Sequence, residues 1–297
     1  MEDLTESKIK ELEIKANQIR QEIIKMLAEA KSGHSAGPLG MADIFSAFYF
    51  HILNHDPKNP VWEERDRLVL SNGHICPVRY AAMALSGYFP VDELKTLRKI
   101  NSRLQGHPHR TALPGVETTS GPLGEGLSQS IGIALAAKLD GKKHRIYCIA
   151  SDGEHQEGNT WEALMLAPKY KLDNLTLILD RNNIQIDGDT ENIAPLEPIV
   201  SKYQAFGWQT IEVDGHNIKA FVDAISQAHS THDMPTAIVA HIIPGKGVSY
   251  MENNYLWHGN PPGIADVSGA PPKDEQVKVA LLDLEKIEEG LSGIAKA

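Results

Sequence analysis

The sequence predicts a doubly wound α/β fold, a mostly parallel sheet with helices on both faces. Two observations predict it. Short apolar runs at Arg67–Leu70, Arg145–Ala150, Leu175–Asp180, Gln209–Val213 and Thr236–Ile243 are continuous rather than alternating, as strands covered on both sides require. Between most of them lie helix-length segments at Gly124–Leu139, Asn159–Tyr170, Pro198–Phe206 and Ile218–Ala228, the spacing of strand–helix–strand units.

Each element has its own signal. Leu12, Ile19, Ile23, Met26 and Leu27 fall on one helical face, and Ser32-Gly33 stops that helix. The strand runs end in Gly, Asn, Asp or Ser, the residues that turn a chain. Gly259–Pro272 is rich in Gly and Pro and closes the compact part, so the expected division is 1–262 as the main domain and 263–297 as a helical tail. In that tail Val277, Leu281, Leu284, Ile287 and Leu291 make one stripe, which favours docking on the body over binding a partner.

Composition narrows the function classes. The 297 residues are 41% hydrophobic and 23% charged, ordinary for a globular protein. Net charge is 29 − 39 = −10, which argues against a nucleic-acid or anionic-membrane partner. No run of about 18 apolar residues offers a membrane span. The MEDLTESK start lacks the apolar core of a secretory signal. Cys76 and Cys148 stand in apolar surroundings without CxxC spacing and read as reduced core thiols of a cytosolic protein.

Open parallel sheets bind ligands at the carboxyl ends of their strands. Three strand runs are followed by Ser71-Asn72-Gly73-His74, by Ser151-Asp152-Gly153-Glu154 and by Arg181-Asn182-Asn183-Ile184. Singly each is an ordinary turn; together they offer a hard-cation site. Asp152 brings a carboxylate, Asn182 an amide oxygen and Ile184 a backbone carbonyl, and magnesium takes few protein oxygens, completing its shell with water and phosphate. Gly153 leaves room for a phosphate beside free backbone N–H groups.

Of 13 histidines, His34, His74, His107 and His216 follow glycine and His258 precedes it. Glycine flanks place them in loops, where several together point to proton transfer near neutral pH.

The stretches KSGHSAGPLGMA (31–42), DRLVLSNGH (66–74), GHP (106–108), GVETTSGPLGEG (115–126), SDGEHQEG (151–158), DRNNIQIDG (180–188) and WHG (257–259) resemble transketolase over nearly the whole chain, aligned with that family's N-terminal, diphosphate-binding domain. The resemblance implies thiamine diphosphate as cofactor, with Mg2+ or another divalent cation such as Ca2+ or Mn2+ held by Asp152, Asn182 and the Ile184 carbonyl. It places Gly153 and His74 on the diphosphate and Gly121 and Leu123 on the aminopyrimidine. His34, His107 and His258 become the substrate-facing histidines, His258 also lying near the diphosphate, and Glu157 approaches a subunit interface. An imidazole pKa of about 6.5 would leave these histidines both forms near neutrality. Ser151 stands where the family has glycine and should spare the turn. Ser35 replaces a usual proline and is expected to loosen the loop of His34. His216 reads as structural, and Lys246 stays open between an exposed turn residue and a substrate or phosphate contact.

The activity implied is transfer of a two-carbon ketol unit from a ketose phosphate to an aldose phosphate, in cytoplasmic carbohydrate metabolism of the pentose phosphate type. In the family, a second domain supplies the glutamate for the aminopyrimidine ring and the groups that hold sugar phosphate. Only 297 − 258 = 39 residues follow His258, too few for such a domain. The expectation is therefore an α2β2 heterotetramer with a separate C-terminal subunit. The alternatives are a deoxyxylulose-phosphate-synthase-like enzyme, a branched-sugar transketolase, or a non-catalytic regulatory half-protein.

Overall fold

The structure, a computed structural model, describes residues 4–293. Helix α1 (Glu6–Ala30) is capped by Thr5, whose side chain accepts from the Lys8 N–H, and ends at Lys31 in the left-handed region (φ 51°). The stripe Leu12, Ile19, Ile23, Met26 and Leu27 is buried, as its spacing predicts. Two short helices, α2 (Ala36–Gly40) and α3 (Ala42–Ala47), follow with every residue buried. Short segments buried on every side carry no amphipathic period, so the sequence holds little sign of them.

Next come β1 (Arg67–Leu70), α4 (Cys76–Leu85), α5 (Glu125–Leu139), β2 (Ile146–Ser151), α6 (Gly158–Lys169) and β3 (Leu175–Arg181). A small antiparallel hairpin, β4 (Ile184–Gln185) and β5 (Gly188–Asp189), leads into α7 (Thr190–Ile193) and α8 (Ile199–Ala205). The rest is β6 (Gln209–Asp214), α9 (Ile218–Ser230), β7 (Thr236–His241) and α10 (Lys273–Ser292).

Five strands form one sheet in the order β1-β2-β3-β7-β6, and every neighbouring pair is parallel. Alternate residues feed opposite faces. Leu68, Leu70, Tyr147, Ile149 and Ile178 join the core packed by α1, α3, α4 and α9. Val69, Ile146, Cys148, Leu177 and Leu179 join the core packed by α5, α6 and α8. The fold is therefore the doubly wound α/β sheet that the sequence predicts. β2 and β3 are buried throughout, whereas β6 is an edge strand and only partly buried, which lets it carry Thr210 and Glu212.

The tail helix α10 docks on α1. Ala280 and Leu284 are fully buried in the first core, and the Asn17 side-chain amide donates to the Leu284 carbonyl at 2.9 Å. Val277 and Leu281 are half-buried, while Ile287 reaches solvent. Both cysteines are free and buried, and burial pushes their thiols up to about 12. Among the described residues no helix is long and apolar enough to cross a membrane.

Candidate functional site

β1, β2 and β3 are neighbours in the sheet, so their carboxyl ends bring the three sequence-predicted turns side by side. Parallel register sets Ser151 opposite Asp180, and the Asp152 N–H donates to the Asp180 carbonyl at 3.2 Å. Asp152 is fully buried. Its Oδ1 accepts from the Gly153 N–H at 2.7 Å; its Oδ2 accepts from the Asn183 N–H at 2.6 Å and from Arg181 at 3.1 Å. A carboxylate offers about four lone-pair positions. Three are taken, and one remains for a cation.

Asn182 turns its Oδ1 toward the next residues, accepting from the Ile184 N–H at 3.1 Å. Asn183 itself adopts φ 64°, which the short polar side chain tolerates and which folds the segment back over Asp152. Burial pushes the Asp152 carboxyl up, opposed first by Arg181. A bound cation would favour the ionised form further. Among the described residues no three His, Cys, Asp or Glu side chains converge on a metal position, so a cation here depends on one carboxylate plus amide, carbonyl and ligand oxygens. That donor set fits magnesium with a diphosphate.

The cradle beside it also fits. A Cβ on Gly153 would meet the Gln185 Oε1 at 3.2 Å, so a side chain there would crowd the turn. That Oε1 is buried and has no hydrogen-bond partner, a free acceptor beside Gly153. Gly121 adopts φ 149°, and a Cβ on it would stand 3.7 Å from the His107 ring. Leu123 is half-buried directly before Gly124, and Glu157 is exposed at the N-cap of α6.

His34, His74 and His258 form one cluster. Ring centroids lie 4.8 Å apart for His34 and His74, 5.5 Å for His34 and His258, and 5.2 Å for His74 and His258. The Nδ1 atoms of His34 and His258 are buried without a hydrogen-bond partner. Burial, with repulsion from the neighbouring imidazoles, holds His34 down at about 3. Burial alone brings His258 to about 4, and burial pushes His74 well below the ordinary value. The expectation that both protonation forms are open near neutrality is thus corrected for these rings. They are neutral at pH 7, because three packed imidazoles cannot share a desolvated charge. His107 is exposed and only lowered, first by burial and then by Arg98.

The two loops that bear His34 and His258 are fastened together. Ser35 is buried and its hydroxyl donates to the Asn260 carbonyl at 2.7 Å, while the Gly245 N–H donates to the Ala36 carbonyl at 2.8 Å. Ser35 therefore secures the His34 loop, where the loss of proline was expected to loosen it. His216 is structural, as read from the sequence. Its Nδ1 donates to Asp43 at 2.7 Å and its Nε2 accepts from the Ile243 N–H at 2.8 Å. Lys246 is half-buried in the same loop.

With this geometry in place, the comparisons with known proteins are decisive. Residues 12–273 match the family model described as "Transketolase, thiamine diphosphate binding domain". The chain belongs to the transketolase family. It is 40% identical to the 6-deoxy-6-sulfo-D-fructose transketolase subunit SqwG of Clostridium sp. (strain MSTE9), covering 93% of this chain and 97% of that one. It is 38% identical to an apulose-4-phosphate transketolase subunit of Actinobacillus succinogenes, covering 92% and 96%. The crystal structure of transketolase from Campylobacter jejuni superposes with a TM-score of 0.80 at 35% identity, covering 95% of this chain but 48% of that one. The chain thus spans nearly all of the subunit relatives but about half of the solved transketolase. Its fold is that of the family's thiamine-diphosphate-binding portion, and thiamine diphosphate is its cofactor.

Three residues at this site escaped the reading of the sequence. Arg98 packs its guanidinium where a Cβ on Gly106 would stand, and donates to the Ser32 hydroxyl at 2.9 Å, beside His34 and His107. Gln185 brings the free acceptor beside Gly153. Glu154 joins three turns at once. Gln185 had a signal in its position two residues after the Asn182-Asn183 pair, and Glu154 stood in the strand-end motif Ser151–Glu154 without a role being assigned to it.

Proposed function

We propose that this chain is the cofactor-binding half of a two-subunit transketolase, active with a separate C-terminal subunit in an α2β2 heterotetramer of the cytoplasm. Near-complete alignment with relatives that are themselves named as subunits carries this reading. Residues 1–262 form the cofactor-binding unit and 263–297 a tail that steadies it.

Thiamine diphosphate, when bound, supplies the carbanion chemistry of ketol transfer. The chain's own part is to hold, orient and manage protons. Asp152, Asn182 and the Ile184 carbonyl hold a divalent cation, Mg2+ or else Ca2+ or Mn2+. Gly153, His74 and His258 receive the diphosphate, and Gly121 with Leu123 faces the aminopyrimidine. His34 and His258, being neutral, each offer one N–H to a sugar oxygen on which charge develops and one lone pair to a hydroxyl proton. His107, exposed at the rim, orients the sugar hydroxyls.

The substrates are sugars carrying an anionic terminal group, ketose phosphate donor and aldose phosphate acceptor. A branched or sulfonated donor is the second reading, favoured by the names of the two subunit relatives. The test is reconstitution with the partner subunit, thiamine diphosphate and Mg2+, followed by ketol transfer from a panel of ketose phosphates and a sulfo-ketose. Transfer that needs both subunits supports the reading. Full transfer by this chain alone would overturn it.

A further inference from the structure

Glu154 is 1% exposed in the turn after β2. Its Oε1 accepts from the Ser71 hydroxyl and from the Gly124 N–H, the latter at 2.6 Å; its Oε2 accepts from the Ser151 N–H at 3.1 Å. The Ser71 oxygen in turn accepts from the Gly126 N–H at 3.0 Å. One carboxylate thus ties the end of β1, the end of β2 and the first turn of α5. Among the described residues no Lys, Arg or His forms a salt bridge with it.

A buried carboxylate without a counter-ion is costly, and it persists only where its hydrogen bonds are made. A neutral cross-link would hold a fold with less expense, so the choice of a carboxylate at this point calls for a reason. The three segments it joins supply one. Ser71 lies three residues before His74, Ser151 directly precedes Asp152, and Gly124 directly follows Leu123. The close approach is built in on the other side too: a Cβ on Gly126 would meet the Ser71 Cβ at 2.4 Å.

We propose that Glu154 is a positioning residue for the cofactor. Its carboxylate sets the loop 121–124, which faces the aminopyrimidine, at a fixed distance from the strand ends that hold the diphosphate and its cation. The proposal rests on the reading of Gly121, Leu123 and Asp152 as cofactor contacts. A conventional staple would stabilise the fold and nothing else; a positioning residue governs the cofactor's two ends together.

Glu154→Gln is the informative change. A carboxamide keeps the shape but has one acceptor oxygen, so at least one of its N–H groups must face the Ser151 or Gly124 donor. Ser71→Ala, which removes only the hydroxyl, is the milder companion should the first variant fold poorly. Two measurements are made: hydrogen exchange on the cofactor-free chain, and thiamine diphosphate titration of the reconstituted holoenzyme with Mg2+. The expected result is exchange about tenfold faster at the Gly124 and Gly126 amides with the β2–β3 amides unchanged. Cofactor affinity should fall by about ten- to a hundredfold, as for outer partners of a metal site, while kcat at saturating cofactor stays near wild type. Asp152→Ala is titrated in parallel: if it too keeps full affinity, the underlying site reading fails. If Asp152→Ala loses affinity while both the Glu154 and Ser71 variants retain it, Glu154 is a staple only and the proposal is overturned.

Discussion

Asp152 and Asn183 meet across two neighbouring parallel strands, the Asn183 N–H donating to the Asp152 Oδ2 at 2.6 Å. The bond closes the turn after β3 over the turn after β2. It leaves one lone-pair position of Asp152 open. Asp152→Ala should therefore weaken Mg2+-dependent binding of thiamine diphosphate by at least about tenfold, read by titration of the reconstituted complex. Binding that stays Mg2+-dependent with unchanged affinity would remove Asp152 from the clamp.

His34 is expected to act on substrate rather than on cofactor. His34→Gln should lower kcat by about 10²–10⁴-fold, the span of a lost proton-transfer group, with cofactor affinity close to wild type. Burial holds its pKa at about 3, so the pH–rate profile between pH 5 and 8 should carry no limb from His34. A wild-type limb near pH 6.5 that vanishes in the variant would contradict a neutral His34.

His155 makes folding pH-dependent. It is fully buried, its Nδ1 donating to the Ser151 carbonyl at 2.7 Å and its Nε2 accepting from the Tyr203 hydroxyl at 2.6 Å. Burial lowers its pKa from 6.5 to about 4. The folded value lies below the unfolded one, so the unfolded chain takes up the proton first. The stabilisation is complete above pH 6.5 and is lost as pH falls toward 4. The difference of about 2.5 units corresponds to ~3 kcal/mol as an order of magnitude. Urea unfolding at stepped pH should show this decline, and His155→Gln should flatten it. An equally steep decline in the variant would assign the effect to other groups.

Leu284 tests the tail. It is fully buried between α10 and the body, so Leu284→Ala should cost about 2–5 kcal/mol in urea unfolding. A change below about 0.5 kcal/mol would mean that α10 leaves the body readily in solution.

The sequence carried most of the architecture because strands buried on both faces need continuous apolar runs, and turns need Gly, Asn or Asp. Arg67–Leu70 was legible to the residue and β2, β3 and β7 to within two at each end. The β4–β5 hairpin was not, since two-residue strands have no period. Helices α2 and α3 were missed for the opposite reason, being buried all round. At the site, the turns after β1, β2 and β3 and the glycine-flanked histidines were visible as motifs, because backbone turns and free loop side chains are local properties.

What the sequence alone determined is thus the strands, most of the helices that cover them and which residues stand at the carboxyl ends of the strands. Only the tertiary structure decided how those residues are held and charged. It joined Ser35 to Asn260 and His216 to Asp43, residues 225 and 173 positions apart. It packed His34, His74 and His258 within 5.5 Å, which turned three titratable rings into neutral ones. It also made Glu154 a cross-link of three turns. Hydrogen bonds between distant loops and the desolvation of a packed cluster depend on which surfaces meet, and local pattern does not encode that.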